Sequence, residues 1–175
     1  MANYTPRGVT VHSVSFTRPA DTNAYTANDL VGTSTSVAAA NSTAILDAVY
    51  DGADGFRFDR VRLRKSDKTT TNASFRVHFF DRLPVWDVGD NGAGGAITAL
   101  AVTTMAGHCG YVDITMDRAS ATAGAYGMAN PSSGAITVKP SAVTSTAIYV
   151  AVQALAAYTP VSGEVFTVDV EGIRP

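Results

Sequence analysis

Stretches of alternating apolar and polar residues, each closed by Gly, Asn, Asp or Pro, recur along this chain. Period-2 alternation puts every second side chain on one face, which commits such segments to half-buried strands rather than helices. The clearest case is 74–80, where Phe75, Val77 and Phe79 point inward and Arg76 and His78 outward. Val112, Ile114 and Met116 repeat the pattern, and Phe166, Val168 and Val170 form a last strand with Asp169 and Glu171 outside. Two segments change phase. In 9–17, Val9 and Val11 share one face and Val14 and Phe16 the other, so a bulge near His12 and Ser13 is expected. In 56–64 the slip falls between Phe56/Phe58 and Val61/Leu63. Segment 147–155 is apolar on both faces, as in a central strand or one buried by a partner.

The one helix expected is 42–49, capped by Ser42 and ended by Asp51-Gly52 and Asp54-Gly55. Segments 89–96 and 119–134 are low in complexity and read as loops. Strands at this spacing predict an all-β chain, a jelly-roll-like β-sandwich with at most one short helix. No linker divides it. The expectation is an N-terminal arm over 1–8 and a single β-sandwich domain over 9–175.

Composition narrows the function classes. The 175 residues are 46% hydrophobic and 16% charged, against an ordinary charged share of about 25%. Such a chain can bury a core and is not disordered. A net charge of −2 gives no basis for bulk nucleic-acid or membrane-surface binding. Cys109 is the single cysteine, so no internal disulfide forms, and stability rests on packing, oligomerisation or both. No stretch approaches the roughly 20 apolar residues of a membrane span. The first residues lack a signal-peptide layout, so the expectation is a protein made and used inside a cell, or released by lysis.

The candidate chemistry is sparse. His12, His78 and His108 lie far apart, and none has a helical metal-ligand partner. His108 and Cys109 are adjacent, so on a strand they point to opposite faces and cannot converge as a nucleophile and its base. The run Asp87 to Gly92 has the look of a calcium loop, but its spacing is wrong and Thr98 stands where the last ligand belongs. Asp51 and Asp54 would add ligands only through tertiary proximity. Gly92 to Gly95 lacks the Lys-Ser/Thr of a phosphate loop. Glu164 and Glu171 are the only glutamates for a carboxylate pair. No catalytic, cofactor-binding or metal site is expected.

One charge feature stands out. Segment 56–68 holds six of the thirteen basic residues, and Arg60, Arg62 and Arg64 share parity. A strand would carry all three on one face. They fit a solvated face with cross-strand partners such as Asp59, Asp67 or Asp81. They also fit a docking stripe for an acidic protein surface, since Arg is favoured at interfaces. Aromatics that would stack single-stranded nucleic acid are not interleaved on that face.

Segment 18–32, RPADTNAYTANDLVG, is neither strand nor helix. Pro19 and Gly32 bracket it, and Asp21, Asn28 and Asp29 are suited to turn hydrogen bonds. Tyr25, Leu30 and Val31 would pin it to a core. It resembles the RPADTTAYAANDVVG-type segment of small tailed-bacteriophage virion proteins. Two further blocks, 75–91 (FRVHFFDRLPVWDVGDN) and 158–172 (YTPVSGEVFTVDVEG), are similar to that group in the same order. Segment 119–134 has no counterpart there.

The resemblance implies a β-sandwich capsid decoration, or cement, protein. It would be made in the host cytoplasm and located on the capsid exterior of the virion. Its partners would be the major capsid protein and itself, as a homotrimer, with 147–155 a candidate for the subunit interface and arm 1–8 reaching a neighbour. It implies no enzymatic activity and no cofactor, and it makes Pro19, Tyr25, Asp29 and Gly32 structural anchors. The alternatives are a tail or head–tail accessory protein of the same fold, a carbohydrate- or receptor-binding module using Trp86, and a hydrolase.

Overall fold

Alternation becomes strand pairing wherever a neighbour can receive the apolar face. The computed structural model describes residues 9–36, 44–47, 56–84, 86, 88–91, 107–132, 134–138 and 147–173. In chain order the strands are β1 (Thr10–Thr17), β2 (Leu30–Val31), β3 (Ala44–Asp47), β4 (Phe56–Lys65), β5 (Ser74–Phe80), β6 (His108–Thr115), β7 (Arg118–Ser120), β8 (Gly124–Ala129), β9 (Ile136–Val138), β10 (Ala147–Ala154) and β11 (Val165–Ile173). No helix occurs among the described residues.

The strands form two antiparallel sheets. The first runs β1-β11-β4-β8-β7, with β9 on the same edge of β4 as β8. The second runs β2-β10-β5-β6, with β3 on the same edge of β10 as β2. They pack face to face as a β-sandwich around one apolar core. Val61, Leu63, Phe166 and Val168 come from the first sheet, and Phe75, Val77, Val150 and Val152 from the second. Rings cross the gap: Phe58 and Phe79 lie 4.7 Å apart, and Phe75 meets Phe166 edge-on at 5.4 Å. Each such side chain contributes roughly 1.5–3 kcal/mol by burial, so the sandwich is held chiefly by these inward positions.

The phase changes resolve differently from one another. β1 pairs with β11 without a break, from Thr10 opposite Gly172 to Thr17 opposite Val165, so the bulge expected at His12 and Ser13 is absent. Thr10, His12, Val14 and Phe16 form the inward row, and Val9 and Val11 remain 61% exposed. An edge strand tolerates exposed valines, and the inward row accepts His12, whose ring meets Phe56 edge-on at 5.1 Å. In β4 the slip is real. Arg60 faces Glu171 and Phe58 faces Gly172, which leaves Asp59 as the extra residue. Gly172 is required there, because a Cβ would stand 2.1 Å from the Arg57 carbonyl oxygen.

Two other expectations are corrected. The helix expected at 42–49 is replaced at its centre by β3, whose Ala44–Asp47 backbone pairs with β10. An isolated two-turn helix is marginal, and an open strand edge satisfies the same backbone groups. The 119–134 stretch is not a loop: it carries most of the β7–β8 hairpin. Its glycines read as loop residues but serve close approach. A Cβ on Gly127 would stand 2.1 Å from the Thr115 carbonyl oxygen on the opposing sheet. Of the two readings of 147–155, the central strand holds, and the outer faces of β5 and β10 are covered in part by the chain itself. Leu30, Phe80, Trp86 and Ala151 form a second apolar cluster there, with Val88 and Tyr149 against it. β10 is therefore a central strand, paired on both edges, and most of its outer face needs no subunit to bury it. The 1–8 arm lies outside the described residues.

Gly127→Ala should destabilise the protein by about 1–3 kcal/mol, because the added methyl meets backbone and not a movable side chain. A lower urea midpoint at unchanged slope would report it; an unchanged midpoint would mean that the hairpin does not approach β6 this closely.

Candidate functional site

Among the described residues the polar groups gather in three places: a buried knot at one end of the sandwich, the outer face of the first sheet, and the partly covered outer face of the second. The knot begins at Arg18, directly after β1, whose side chain is fully buried. Its Nε donates to the Tyr25 hydroxyl at 2.9 Å, and its Nη2 to Asp21 at 2.8 Å and to Asp90 at 3.1 Å. Asp90 also accepts from the Tyr25 hydroxyl at 2.5 Å and from the Gly32 backbone at 2.8 Å. Burial disfavours the Arg18 cation, but its bonds to Tyr25 and Asp21 and the charge of Asp90 outweigh that and hold the proton more firmly than usual. Burial pushes the Asp90 carboxyl up, against the bonds from Tyr25, Gly32 and Arg18. Burial, then the Asp90 charge, pushes the Tyr25 phenol up, so it stays a donor.

Segment 18–32 is held at every anchor read from its sequence. Pro19 offers its carbonyl to the backbone N–H of Asp21 and Gly163. Tyr25 bridges to Tyr158 by backbone, and Leu30 and Val31 are fully buried. The Asp29 carboxylate accepts from the Thr26 N–H at 2.6 Å and hydroxyl at 3.0 Å. Asn28 takes a left-handed φ of 79°, which an Asx side chain tolerates. Its N–H donates to the Ala154 carbonyl at the end of β10.

The Tyr25 ring stacks on Tyr158 at 6.3 Å and 8°, which joins a second buried group. Lys65 and Glu164 have no exposed side-chain surface, and Lys65 Nζ lies 3.1 Å from Glu164 Oε1. Nζ also donates to the Tyr158 hydroxyl at 2.9 Å and the Asp67 carbonyl at 2.9 Å, and lies 3.3 Å from Asp67 Oδ2. The Tyr158 hydroxyl donates to Glu164, with its oxygens at 2.6 and 2.8 Å. Arg18 and Lys65 as core cations were not foreseen from the sequence. Only the polar partners spaced around them could have signalled it.

Asp90 is therefore a structural acceptor for Arg18, Tyr25 and Gly32 rather than a free oxygen of a calcium loop. Asp51, Asp54, Asp87 and Gly92 to Gly95 lie outside the described residues. Among the described residues no three His, Cys, Asp or Glu side chains stand together as a metal site. Of the two glutamates, Glu164 belongs to the knot and Glu171 pairs with Arg60, so they do not face each other as an acid–base pair.

Arg60, Arg62 and Arg64 do share the outer face of β4. Their partners are not those expected. Arg64 grips Asp169 with two bonds of 2.8 and 2.9 Å, and Arg60 reaches Glu171 at 3.3 Å. Asp59, Asp67 and Asp81 instead serve Arg57, Lys65 and Arg82. The matching signal was present in the sequence, because Asp169 and Glu171 share parity on the neighbouring strand. Arg62 stands opposite Asp169 and Met128 in register, but Arg64 and Ser13 occupy that carboxylate. Its Nε is buried with no hydrogen-bond partner among the described residues. Val11, exposed, lines a shallow recess with Arg60 and Arg62.

On the second sheet, His78 points outward as expected but is only 6% exposed. Gln153 donates its amide to the Asn28 carbonyl at 3.2 Å, so its oxygen accepts from His78 Nε2 at 3.1 Å. That leaves His78 Nδ1 to accept from His108 Nε2, 3.1 Å away. Burial lowers the His78 pKa to about 4. Burial also lowers His108, with the Arg76 charge adding to it. Cys109 packs toward the core, and burial pushes its thiol up to about 11, the opposite of an activated nucleophile. Trp86 is 2% exposed with its ring edge-on to Phe80, so it offers no sugar-binding platform.

A comparison with known protein families finds no match to this chain, and no curated protein matches it either.

Two outcomes are expected. Asp90→Ala should cost about 2–4 kcal/mol, because it removes the buried acceptor of Arg18, Tyr25 and Gly32 and leaves Arg18 only the partly exposed Asp21, and Tyr25→Phe about 1–3 kcal/mol. Equal melting of both variants and wild type would dissolve the knot as a stabilising unit. The His78 imidazole stays neutral in the fold down to about pH 4, whereas the unfolded one takes a proton from about pH 6.5. Its contribution is therefore complete above pH 6.5 and lost as the pH falls toward 4, by up to roughly 3 kcal/mol. Urea titrations across that window should show this slope in wild type and a flatter one in His78→Gln.

Proposed function

We propose that this chain is a structural protein of a tailed-phage virion, a decoration protein that binds the outer capsid surface and reinforces the head. The observation that carries the reading is where the three resembling blocks meet. Arg18, Tyr25 and Gly32 of the first close on Asp90 of the second, and Tyr25 stacks on Tyr158 of the third, which bonds Glu164. The similarity to virion proteins thus falls on residues that build one physical unit, rather than on three unrelated strings. The strand order supports the finer jelly-roll reading: with the short β2, β7 and β9 set aside, β1-β11-β4-β8 opposes β3-β10-β5-β6, four strands against four with the chain crossing between sheets.

A cement protein stabilises a shell by mass action, since it binds the assembled lattice and not the free subunit. A homotrimer would multiply weak contacts with the major capsid protein into avid ones. The outer face of the first sheet suits such docking. It presents Arg62, without an in-chain ion pair among the described residues, between the exposed side chains of Val11 and Met128. Arg and Met are enriched at interfaces, and the partner surface would be acidic.

Copy number in the native particle tests the reading. Hundreds of copies on the head, seen in an electron-microscopy reconstruction, are expected; a dozen or fewer at the tail would replace it with the accessory-protein reading. Arg62→Ala should weaken particle binding about tenfold, and rising salt should weaken the wild type. Binding indifferent to both would move the contact elsewhere on the chain.

A further inference from the structure

We propose that Lys65 and Glu164 condense to form an intramolecular isopeptide bond, with Asp67 as the proton shuttle and Tyr158 as the donor to the carbonyl oxygen. The inference does not depend on the virion reading. It rests on four groups converging on one buried point.

The two reacting groups are already hydrogen-bonded, with Lys65 Nζ 3.1 Å from Glu164 Oε1 and neither side chain exposed, so Nζ has only to swing from that oxygen onto the adjoining Cδ. Strand pairing fixes the approach. Lys65 ends β4 opposite Phe166, and Ser66 N–H bonds the Val165 carbonyl at 2.9 Å, so the chain on either side of both residues is clamped. Holding two reactants in contact this way replaces an encounter in solution with a high effective concentration. Tyr158 places its hydroxyl on the Glu164 carboxylate at 2.6 Å, where negative charge would develop. Burial, with the bond to Glu164 and its charge, pushes that phenol up, so it remains a donor. Asp67 completes the set: its Oδ2 lies 3.3 Å from Nζ and also accepts from the Thr69 N–H, which orients it. Its side chain is 18% exposed, so it marks the way out for water.

The step balances without a co-reactant. One proton passes from the Lys65 ammonium to the Glu164 carboxylate across their hydrogen bond, giving an amine and a carboxylic acid. The nitrogen lone pair attacks Cδ, the Nζ–Cδ bond forms, and the carbonyl electrons move onto the oxygen facing Tyr158. Asp67 takes a second proton from nitrogen and returns it to the hydroxyl. The Cδ–O bond breaks, the carbonyl reforms, and one water leaves. Nothing is oxidised or reduced. The driving force is desolvation: two charges held out of water become a neutral amide, which is far less costly to bury.

Intact-mass spectrometry of the full denatured chain tests this. The expected mass, allowing for removal of the initiator methionine, is one water below the sequence mass. Proteolysis should yield a branched peptide joining the segments around 65 and 164. Lys65→Arg should restore the full sequence mass. Glu164→Gln should reach the wild-type mass by losing ammonia instead of water. Asp67→Asn, with folding checked by circular dichroism, should stay at its full sequence mass. A folded wild type at full sequence mass, with separable Lys65 and Glu164 peptides, overturns the proposal. A deficit that survives Lys65→Arg overturns it equally, and a folded Asp67→Asn that still loses water removes Asp67 from the reaction.

Discussion

The buried carboxylate of Asp90 is the constraint that the irregular part of this structure answers to. A carboxylate out of water must collect donors, and this one draws them from Arg18, Tyr25 and Gly32. Segment 18–32 is therefore not a loop laid over a finished sandwich. Its course is set by where its donors must stand. Once Arg18 and Gly32 are fixed on one acceptor, Leu30 and Val31 are delivered to β10, and Asn28 to Gln153. Gln153 in turn orients His78, which orients His108. A single desolvated charge thus organises polar contacts that run from the end of β1 across the outer face of the second sheet.

Both polar groups of the knot sit where strands end, and that placement has an energetic reason. Within a sheet the backbone is satisfied by the ladder, and the core can be wholly apolar. Past the strand ends, backbone and side-chain donors need other partners. Arg18 follows β1, Lys65 closes β4, and Glu164 precedes β11. The stacked Tyr25 and Tyr158 rings, each with its hydroxyl in one of the two groups, keep the apolar core continuous up to this polar end. A fully formed buried network of this kind adds specificity more than raw stability, since its charges carry a desolvation cost that their pairing offsets. It ties the fold to one register, because a strand slipped by one residue would turn Lys65 away from Glu164.

What the sequence made legible follows from how local each signal is. The inward rows of β5, β6 and β11 were readable because a strand's period is carried by the residues themselves. The slip in β4 was readable for the same reason. The smooth register of β1 was not, because hydrophobic valines were read as buried when an edge strand leaves them in solvent. β3 and β8 are not legible because their partners β10 and β4, far away in sequence, override short segments with weak propensities of their own, and β7 follows from β8. The anchors Tyr25, Asp29, Pro19 and Gly32 were legible from turn chemistry. Arg18 and Lys65 were not: their nearby acids Asp21 and Asp67 look like ordinary surface partners, while the buried ones, Asp90 and Glu164, lie 72 and 99 residues away.

The two outer faces of the sandwich are therefore unequal, and alternation alone cannot reveal it. Alternation says which side chains leave the core; it does not say what meets them there. On the second sheet, Ala151 leaves the core only to pack with Leu30, Phe80 and Trp86, and His78 and Gln153 leave it only to bond His108, Asn28 and each other. On the first sheet, β4 and β11 present a ladder of Arg60–Glu171 and Arg64–Asp169 pairs to solvent, with Arg62 left between them. Most of the charge in that ladder cancels within the chain. A partner docking there would have little unpaired charge to neutralise and one guanidinium to satisfy, with Val11 and Met128 adding apolar contact area. On the second sheet the covering stops at β6, where Tyr111 and Asp113 stay in solvent and Asp113 takes Arg76 in two bonds of 2.6 and 2.9 Å, so what distinguishes the first face is its unpaired Arg62 among the described residues, not its being the one open face.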